Sequence, residues 1–184
     1  YRSDDWWIFA TGCAIGATDG CEFWLHKDFL GGGEFTIERR HVRVTSSSPQ
    51  HLLAVLTINE YRAYFLVAHA PGEVAETTQK AGRTQDRQRT FWDRLEQLMT
   101  GPSGAVNTQT IDSGFFDANA HVGHAPDSHI GSHQKHRADN YNGQRFQQLC
   151  AQQDMIVPQT FEKYHQGPGG TWQHSKNATT RKRF

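Results

Sequence analysis

Cysteine is scarce in this 184-residue chain: Cys13, Cys21 and Cys150 are the only three, and no two form a C-x-x-C pair. An odd number leaves at least one without a partner in the chain, which excludes a disulfide scaffold and points to a reducing, intracellular compartment. Excess charge of either sign is also lacking, since 19 Lys and Arg stand against 19 Asp and Glu. That balance excludes a dedicated polyanion-coating protein, while local basic contacts stay open. No window approaches 18 consecutive apolar residues, and no charged segment leads into a short apolar run with a cleavage site. Neither a membrane span nor a signal peptide is legible, so a soluble globular chain with no membrane partner is expected. P-loop chemistry fails for want of a G-x-x-x-x-G-K-[ST] motif. Serine-hydrolase chemistry fails too, because Gly101-Pro102-Ser103-Gly104 lacks the G-x-S-x-G spacing. There is no initiator Met and no polar tail. The chain opens at Tyr1, runs at once into Trp6-Trp7-Ile8-Phe9 and closes on Arg181-Lys182-Arg183-Phe184, so the expectation is a piece cut at both ends. No internal repeat and no dividing linker occur, which makes residues 1–184 part of one domain.

What is present suffices for a core. The hydrophobic fraction is only 36%, but five Trp, eleven Phe and five Tyr bring large apolar surfaces. Strands are expected at Trp6–Ala10, Cys21–Leu25, His41–Thr45, Leu52–Ile58 and Ala63–Ala68, broken by Gly31-Gly32-Gly33 and Ser46-Ser47-Ser48-Pro49. Their succession suggests hairpins in an antiparallel sheet. Ala63–Ala68 is nearly all apolar and suits a central strand covered on both faces, delivering His69 at its end. Phe91, Trp92, Leu95, Leu98 and Met99 recur at helical spacing and predict a helix over Thr84–Met99, ended by Gly101-Pro102. A strand over Thr108–Phe116, interrupted by Asp112-Ser113-Gly114, ends at Asp117-Ala118-Asn119. Residues 120–142 are polar and read as a long loop. Asn142 is expected to cap a second helix to about Gln153, followed by short strands near Met155–Val157 and from Thr171-Trp172.

Asp117 and Asn119 stand one residue apart at a strand end, so an extended chain would place both on one face. A carboxylate can take a proton from water or bind a hard cation, and an amide can donate to a phosphate oxygen without adding charge. The pair suits metal-assisted phosphate-ester hydrolysis; the competing reading is a plain turn. His69, in Ala68-His69-Ala70-Pro71, emerges at the same edge if the two strands are neighbours. It would then hydrogen-bond a phosphoryl oxygen or act as general acid, unless it merely caps a strand. Five histidines, His121, His124, His129, His133 and His136, fall within sixteen positions. They read as a solvated, pH-responsive loop ahead of a zinc site, for want of Cys or carboxylate ligands in pattern. Asn177-Ala178-Thr179 matches the glycosylation pattern by chance, and Arg181-Lys182-Arg183 is a solvated run or a nucleic-acid contact.

The order of Ala68-His69-Ala70-Pro71, Phe91-Trp92-Asp93-Arg94-Leu95, Asp117-Ala118-Asn119-Ala120-His121-Val122-Gly123, Asn142-Gly143-Gln144-Arg145-Phe146 and Gly170-Thr171-Trp172 resembles the endonuclease/exonuclease/phosphatase (DNase I-like) superfamily. Within it, the likeness is greatest to endonuclease domains of non-LTR retrotransposons and related reverse-transcriptase-linked proteins. The resemblance implies an α/β (α+β) fold, a four-layer sandwich of two mainly antiparallel β-sheets flanked by helices, here incomplete at both ends. It implies a Mg²⁺-dependent (or Mn²⁺-dependent) phosphodiesterase that nicks DNA, in an intracellular and even nuclear setting. By the same resemblance Asp117 is the aspartate that orients or deprotonates water near the cation, Asn119 the phosphate-orienting asparagine and His69 the histidine at the scissile phosphate. Asp117 and Asn119 are the implied metal neighbours, and Thr171-Trp172 supports the site. The family's metal-binding glutamate, a second aspartate and a final Asp-His pair would all lie outside these 184 residues. The family often has Gly before its aspartate, whereas Phe116 stands there in this chain.

Two alternatives accompany this reading. One is a catalytically inactive remnant or binding module of the same fold, and the other a phosphatase acting on a phosphorylated lipid or small molecule. The expectation is that the 184-residue chain alone shows little Mg²⁺-dependent nicking of supercoiled plasmid. Robust nicking abolished by Asp117→Ala would overturn it.

Overall fold

The structure, a computed structural model, describes residues 4–12, 20–30, 35–72, 78–100, 112–123, 128–133, 136–164, 172–173 and 181–182. Its strands are β1 (Trp6–Ala10), β2 (Glu22–His26), β3 (Val42–Ser48), β4 (His51–Ile58), β5 (Tyr61–His69), β6 (Ser113–Asp117), β7 (Trp172–Gln173) and β8 (Arg181–Lys182). Helix α1 (Thr78–Thr100) lies between β5 and β6, and helix α2 (Tyr141–Gln152) follows β6. The fold is mixed α/β, with a two-stranded sheet β1-β2, a four-stranded sheet β3-β4-β5-β6 and a minimal ladder β7-β8. By its contacts the chain divides into two compact units. The first comprises Tyr1–Ala70 and Asp93–Asp117, the second Pro71–Trp92 and Ala118–Phe184. No described helix is long and apolar enough to cross a membrane.

In the first unit, alternation along β2 buries Phe23 and Leu25 and leaves Glu22 and Trp24 outside. The inner face of β1-β2 packs on one face of the larger sheet, where Phe9, Phe23, Leu25, Leu52, Ala54, Leu56 and Phe65 form a continuous core. Phe23 stacks on Phe65 with ring centroids 5.0 Å apart. Trp7 satisfies its indole N–H on the Ile37 carbonyl at 2.7 Å, so its ring packs without stranding a donor. β4 is buried along nearly its whole length, as expected of an interior strand.

One insertion changes which side chains share a face. The β3-β4 register shifts between Val44 and Ser46, leaving Thr45 as the extra residue of a bulge. Before it, Val42 and Val44 lie across from Leu56 and Ala54, on the core side; after it, Ser46 and Ser48 lie across from Leu53 and His51, on the opposite side. The bulge therefore brings two serines to His51, which is buried at 4% exposure. Its Nε2 lies 2.9 Å from Ser46 Oγ and its Nδ1 2.8 Å from Ser48 Oγ.

The sheet is antiparallel only through β3, β4 and β5; β6 joins β5 in parallel after the α1 crossover. Asp112 pins the start of β6, its amide donating to the Tyr64 carbonyl at 3.0 Å while its carboxylate accepts the Tyr64 amide at 2.7 Å. Gly114 is needed here for space: a Cβ would run into the ring of Phe116, two residues on along the same face. The residues that interrupt the apolar pattern are thus those that seat the strand. Positions 108–111 of the expected strand lie outside the described residues.

In the second unit, α1 begins six residues ahead of the expected Thr84, because Thr78–Arg83 carry no large apolar residue to mark them. Gln88 is buried on the same face as Phe91, Trp92 and Leu95 and donates to the Pro71 carbonyl at 3.3 Å. The expected cap of α2 is corrected. Asn140 is the N-cap, its side-chain oxygen accepting the Gly143 amide at 2.7 Å, while Asn142 lies fully buried in the first turn. Asn142 Oδ1 accepts the indole N–H of Trp92 at 2.9 Å, and its Nδ2 donates to the carbonyls of Pro71 at 2.9 Å and Asn119 at 3.4 Å. Gly143 lies against the His121 carbonyl, where a Cβ would not fit. Val122, Ile130, Phe146, Cys150, Met155 and Val157 form a separate apolar cluster. The expected strand near Met155–Val157 reduces to one parallel bridge, Ile130 to Val157, because Pro158 follows and a short helical turn begins. Of the expected strand from Thr171-Trp172, Thr171 lies outside the described residues and Trp172 opens β7.

Because Asn142 satisfies one buried donor and two buried acceptors, Asn142→Ala is expected to cost about 3 kcal/mol, from an orphaned Trp92 N–H and a cavity. The cap variant Asn140→Ala is expected to cost about 1 kcal/mol. Urea unfolding followed by tryptophan fluorescence checks both, and equal, small effects would contradict the assignment of Asn142.

Candidate active site

The parallel register pairs Phe65 with Ser113 and proceeds in step to His69 opposite Asp117. Residues directly opposite in a ladder project to the same face, so both side chains emerge together at the carboxyl edge of two neighbouring strands. Backbone bonds hold that edge on both flanks. His69 N–H donates to Gln50 O at 2.9 Å, and Ala70 N–H donates to Asp117 O at 2.8 Å. His69 Nε2 lies 3.9 Å from Asp117 Oδ2, with side chains 36% and 65% exposed. That separation is an ion-pair distance once the imidazole carries a proton, and it is too long for a direct hydrogen bond. An imidazole and a carboxylate thus stand side by side at a solvent-exposed edge. Their neighbours on the same face, Val67 and Phe115, are apolar.

Asn119, the third residue the sequence singles out, belongs to the second unit. Its backbone has φ of 45°, so the extended geometry that would set it on the Asp117 face does not continue past the strand. Its carbonyl is held by the side-chain amides of Asn140 at 3.0 Å and Asn142 at 3.4 Å. Its own side chain lies beside Gly72, where a Cβ would meet the amide atoms at 3.8 Å. Asn140 also accepts the His121 amide at 2.9 Å. The two asparagines that fix this segment, half-buried Asn140 and buried Asn142, carry no pattern in the sequence beyond a polar pair at a helix start, which is why Asn142 reads there as a cap.

For the implied cation, Asp117 offers one exposed hard oxygen donor. No group of three or more His, Cys, Asp or Glu that could hold a metal occurs among the described residues. One carboxylate suits Mg²⁺, which keeps waters and takes substrate phosphates as ligands, and does not suit a closed structural zinc site. In the histidine-rich stretch, His121 stacks on His136 with ring centroids 4.2 Å apart, and His129 Nδ1 lies 3.2 Å from the Met155 carbonyl. His124 lies outside the described residues. Burial holds His136 below the usual imidazole range, and a charge on His121 would lower it further.

No protein-family model, no curated protein and no solved structure matches the chain.

His51 gives the first unit a dependence on pH. Burial, and then the Arg94 charge, hold its protonation below the usual imidazole range near 6.5. With the ring neutral one serine accepts its N–H and the other donates to its bare nitrogen, and with the ring charged both accept, so desolvation, not hydrogen bonding, disfavours the charged form. A lowered folded-state value means that the unfolded chain binds the extra proton first. The stabilisation is complete above about pH 6.5 and is lost as pH falls through the folded value. Urea midpoints measured from pH 7.5 to 5 are expected to fall more steeply for the wild type than for His51→Gln. Parallel curves would contradict this.

Proposed function

We propose that the chain belongs to a Mg²⁺-dependent phosphodiesterase of the DNase I-like type that nicks DNA, with His69 and Asp117 as its acid–base pair. The observation that carries the reading is the in-register juxtaposition of an imidazole and a carboxylate 3.9 Å apart at one exposed sheet edge. In this reaction Asp117 accepts a proton from water as the water oxygen forms its bond to phosphorus. The bond from phosphorus to the leaving sugar oxygen breaks, and protonated His69 donates to that oxygen. Asp117 is the residue that would hold the cation, which supplies Lewis-acid stabilisation of charge on the phosphate when bound. The resemblance assigns Asn119 the orientation of a phosphate oxygen.

A second reading, a binding module of the same fold without turnover, draws on two observations. Phe116 stands where the family often has glycine, and no group of three or more His, Cys, Asp or Glu that could hold a metal occurs among the described residues. The proposed four-layer sandwich of two sheets flanked by helices and the DNA partner rest on the resemblance.

Nicking of supercoiled plasmid by the complete protein with Mg²⁺ tests the proposal. Asp117→Ala is expected to lower the rate by about 10²–10⁴ and His69→Ala by about 10². Asn119→Ala is expected to weaken both the rate and substrate affinity. No nicking by a folded wild type, with DNA binding retained, would instead establish the binding module. Faster hydrolysis of inositol phosphates than of DNA would establish the phosphatase alternative.

A further inference from the structure

The structure assigns a second, separate site: a basic hollow on the first unit that binds the phosphates of a single-stranded nucleic acid. It has a volume of about 310 Å³ and is lined by Arg40, His41, Arg43, Val55, Thr57, Arg62 and Tyr64. Strand pairing explains the convergence. Arg43 lies across from Val55, and Val55 across from Tyr64, while Thr57 lies across from Arg62. These side chains share one sheet face, and the short helical turn Arg39–His41 adds Arg40 and His41 at its rim.

Three guanidinium groups line the hollow and no carboxylate does. Glu38 is engaged with Arg40 at 2.9 Å, and the Asp112 carboxylate is engaged with the Tyr64 amide. Neither Glu38 nor Asp112 lines the hollow. His41 Nδ1 accepts the Glu38 amide at 3.0 Å, which places the proton of a neutral ring on Nε2 as a further donor. The bottom of the hollow is apolar at Val55, which is buried, and Tyr64 supplies a half-buried ring. Guanidinium groups match phosphate oxygens in pairs, and an aromatic face accepts any base by stacking. Arg43 and Arg62 are separated by two strand spacings and two residues, roughly 12 Å at Cα, so their guanidinium groups can meet two phosphates of one strand in place of a single ion. Arg40 is already paired with Glu38, so Arg43 and Arg62 carry the attraction for an anionic occupant.

The hollow does not depend on the reaction assigned to His69 and Asp117. Its β5 residues, Arg62 and Tyr64, lie seven and five residues back from His69, roughly 24 and 17 Å along the strand, and on the opposite sheet face, so a strand held there would not occupy the reacting edge. Loss of nicking leaves this site standing, and loss of this site leaves the acid–base pair intact.

Fluorescence anisotropy of a labelled 20-nucleotide oligothymidylate, titrated with protein at several NaCl concentrations, tests the inference. The variant combines Arg43→Ser and Arg62→Ser, both exposed positions, with circular dichroism to confirm that it folds. The expected result is at least a tenfold loss of affinity and a salt slope shallower by about 1.4, corresponding to two lost phosphate contacts. Unchanged affinity and slope in the folded variant would overturn the site. So would displacement of the oligonucleotide by inorganic phosphate at equal phosphate concentration, which would mark a single-ion site, or absence of binding by the wild type.

Discussion

The parallel pairing of β5 with β6 is the constraint on which the candidate chemistry depends. A two-residue turn cannot join parallel neighbours, so the α1 crossover is obligatory, and it returns the chain to lie beside β5 with both carboxyl ends at one edge. The register is then fixed by two small features. Asp112 closes a two-bond clasp on Tyr64 at the start of the strand, and Gly114 leaves room for Phe116. A slip by one residue would turn Asp117 to the opposite face from His69 and would strand the Asp112 carboxylate. Ordinary ladder geometry therefore sets the pairing of an acid and a base, with no strained backbone at either residue.

The second unit is organised differently, by buried amides in place of a sheet. Asn140 and Asn142 sit two positions apart at the start of α2, yet they do unlike work: one closes the helix end, and the other fills a buried polar pocket against Trp92, Pro71 and Asn119. Full satisfaction of Asn142 makes its burial tolerable, since an unpaired amide in the same place would be a large local cost. Both asparagines bind the Asn119 carbonyl, so they hold that residue in a left-handed conformation that asparagine accepts more readily than most side chains. The segment's shape thus follows from side chains about twenty residues downstream.

Much of this was legible in the sequence, and the failures have identifiable causes. The apolar runs of β1 to β5 and the Phe91–Met99 face of α1 declare themselves through period and composition, because burial of one face leaves a trace in every second or every third and fourth residue. The edge position of His69 beside Asp117 followed conditionally from two strand ends. The parallel sense of β6 did not follow, since a short strand with only Phe115 and Phe116 apolar carries no mark of its direction. The bulge at Thr45 and the clasp of Asp112 left no periodic mark. Asn142 reads as a cap because a capping asparagine and a buried one look the same in sequence, and its partner Trp92 lies fifty positions away. The basic hollow escaped notice because Arg43 and Arg62 are nineteen residues apart and meet only across β4.

The central claim is that His69 and Asp117 act as one unit on a phosphodiester. A double-mutant cycle on DNA nicking by the complete protein addresses it most directly, comparing His69→Ala, Asp117→Ala and the double variant under single-turnover conditions with Mg²⁺. The account predicts strong non-additivity, with the double variant little slower than Asp117→Ala alone. Losses that multiply across the two sites would contradict it.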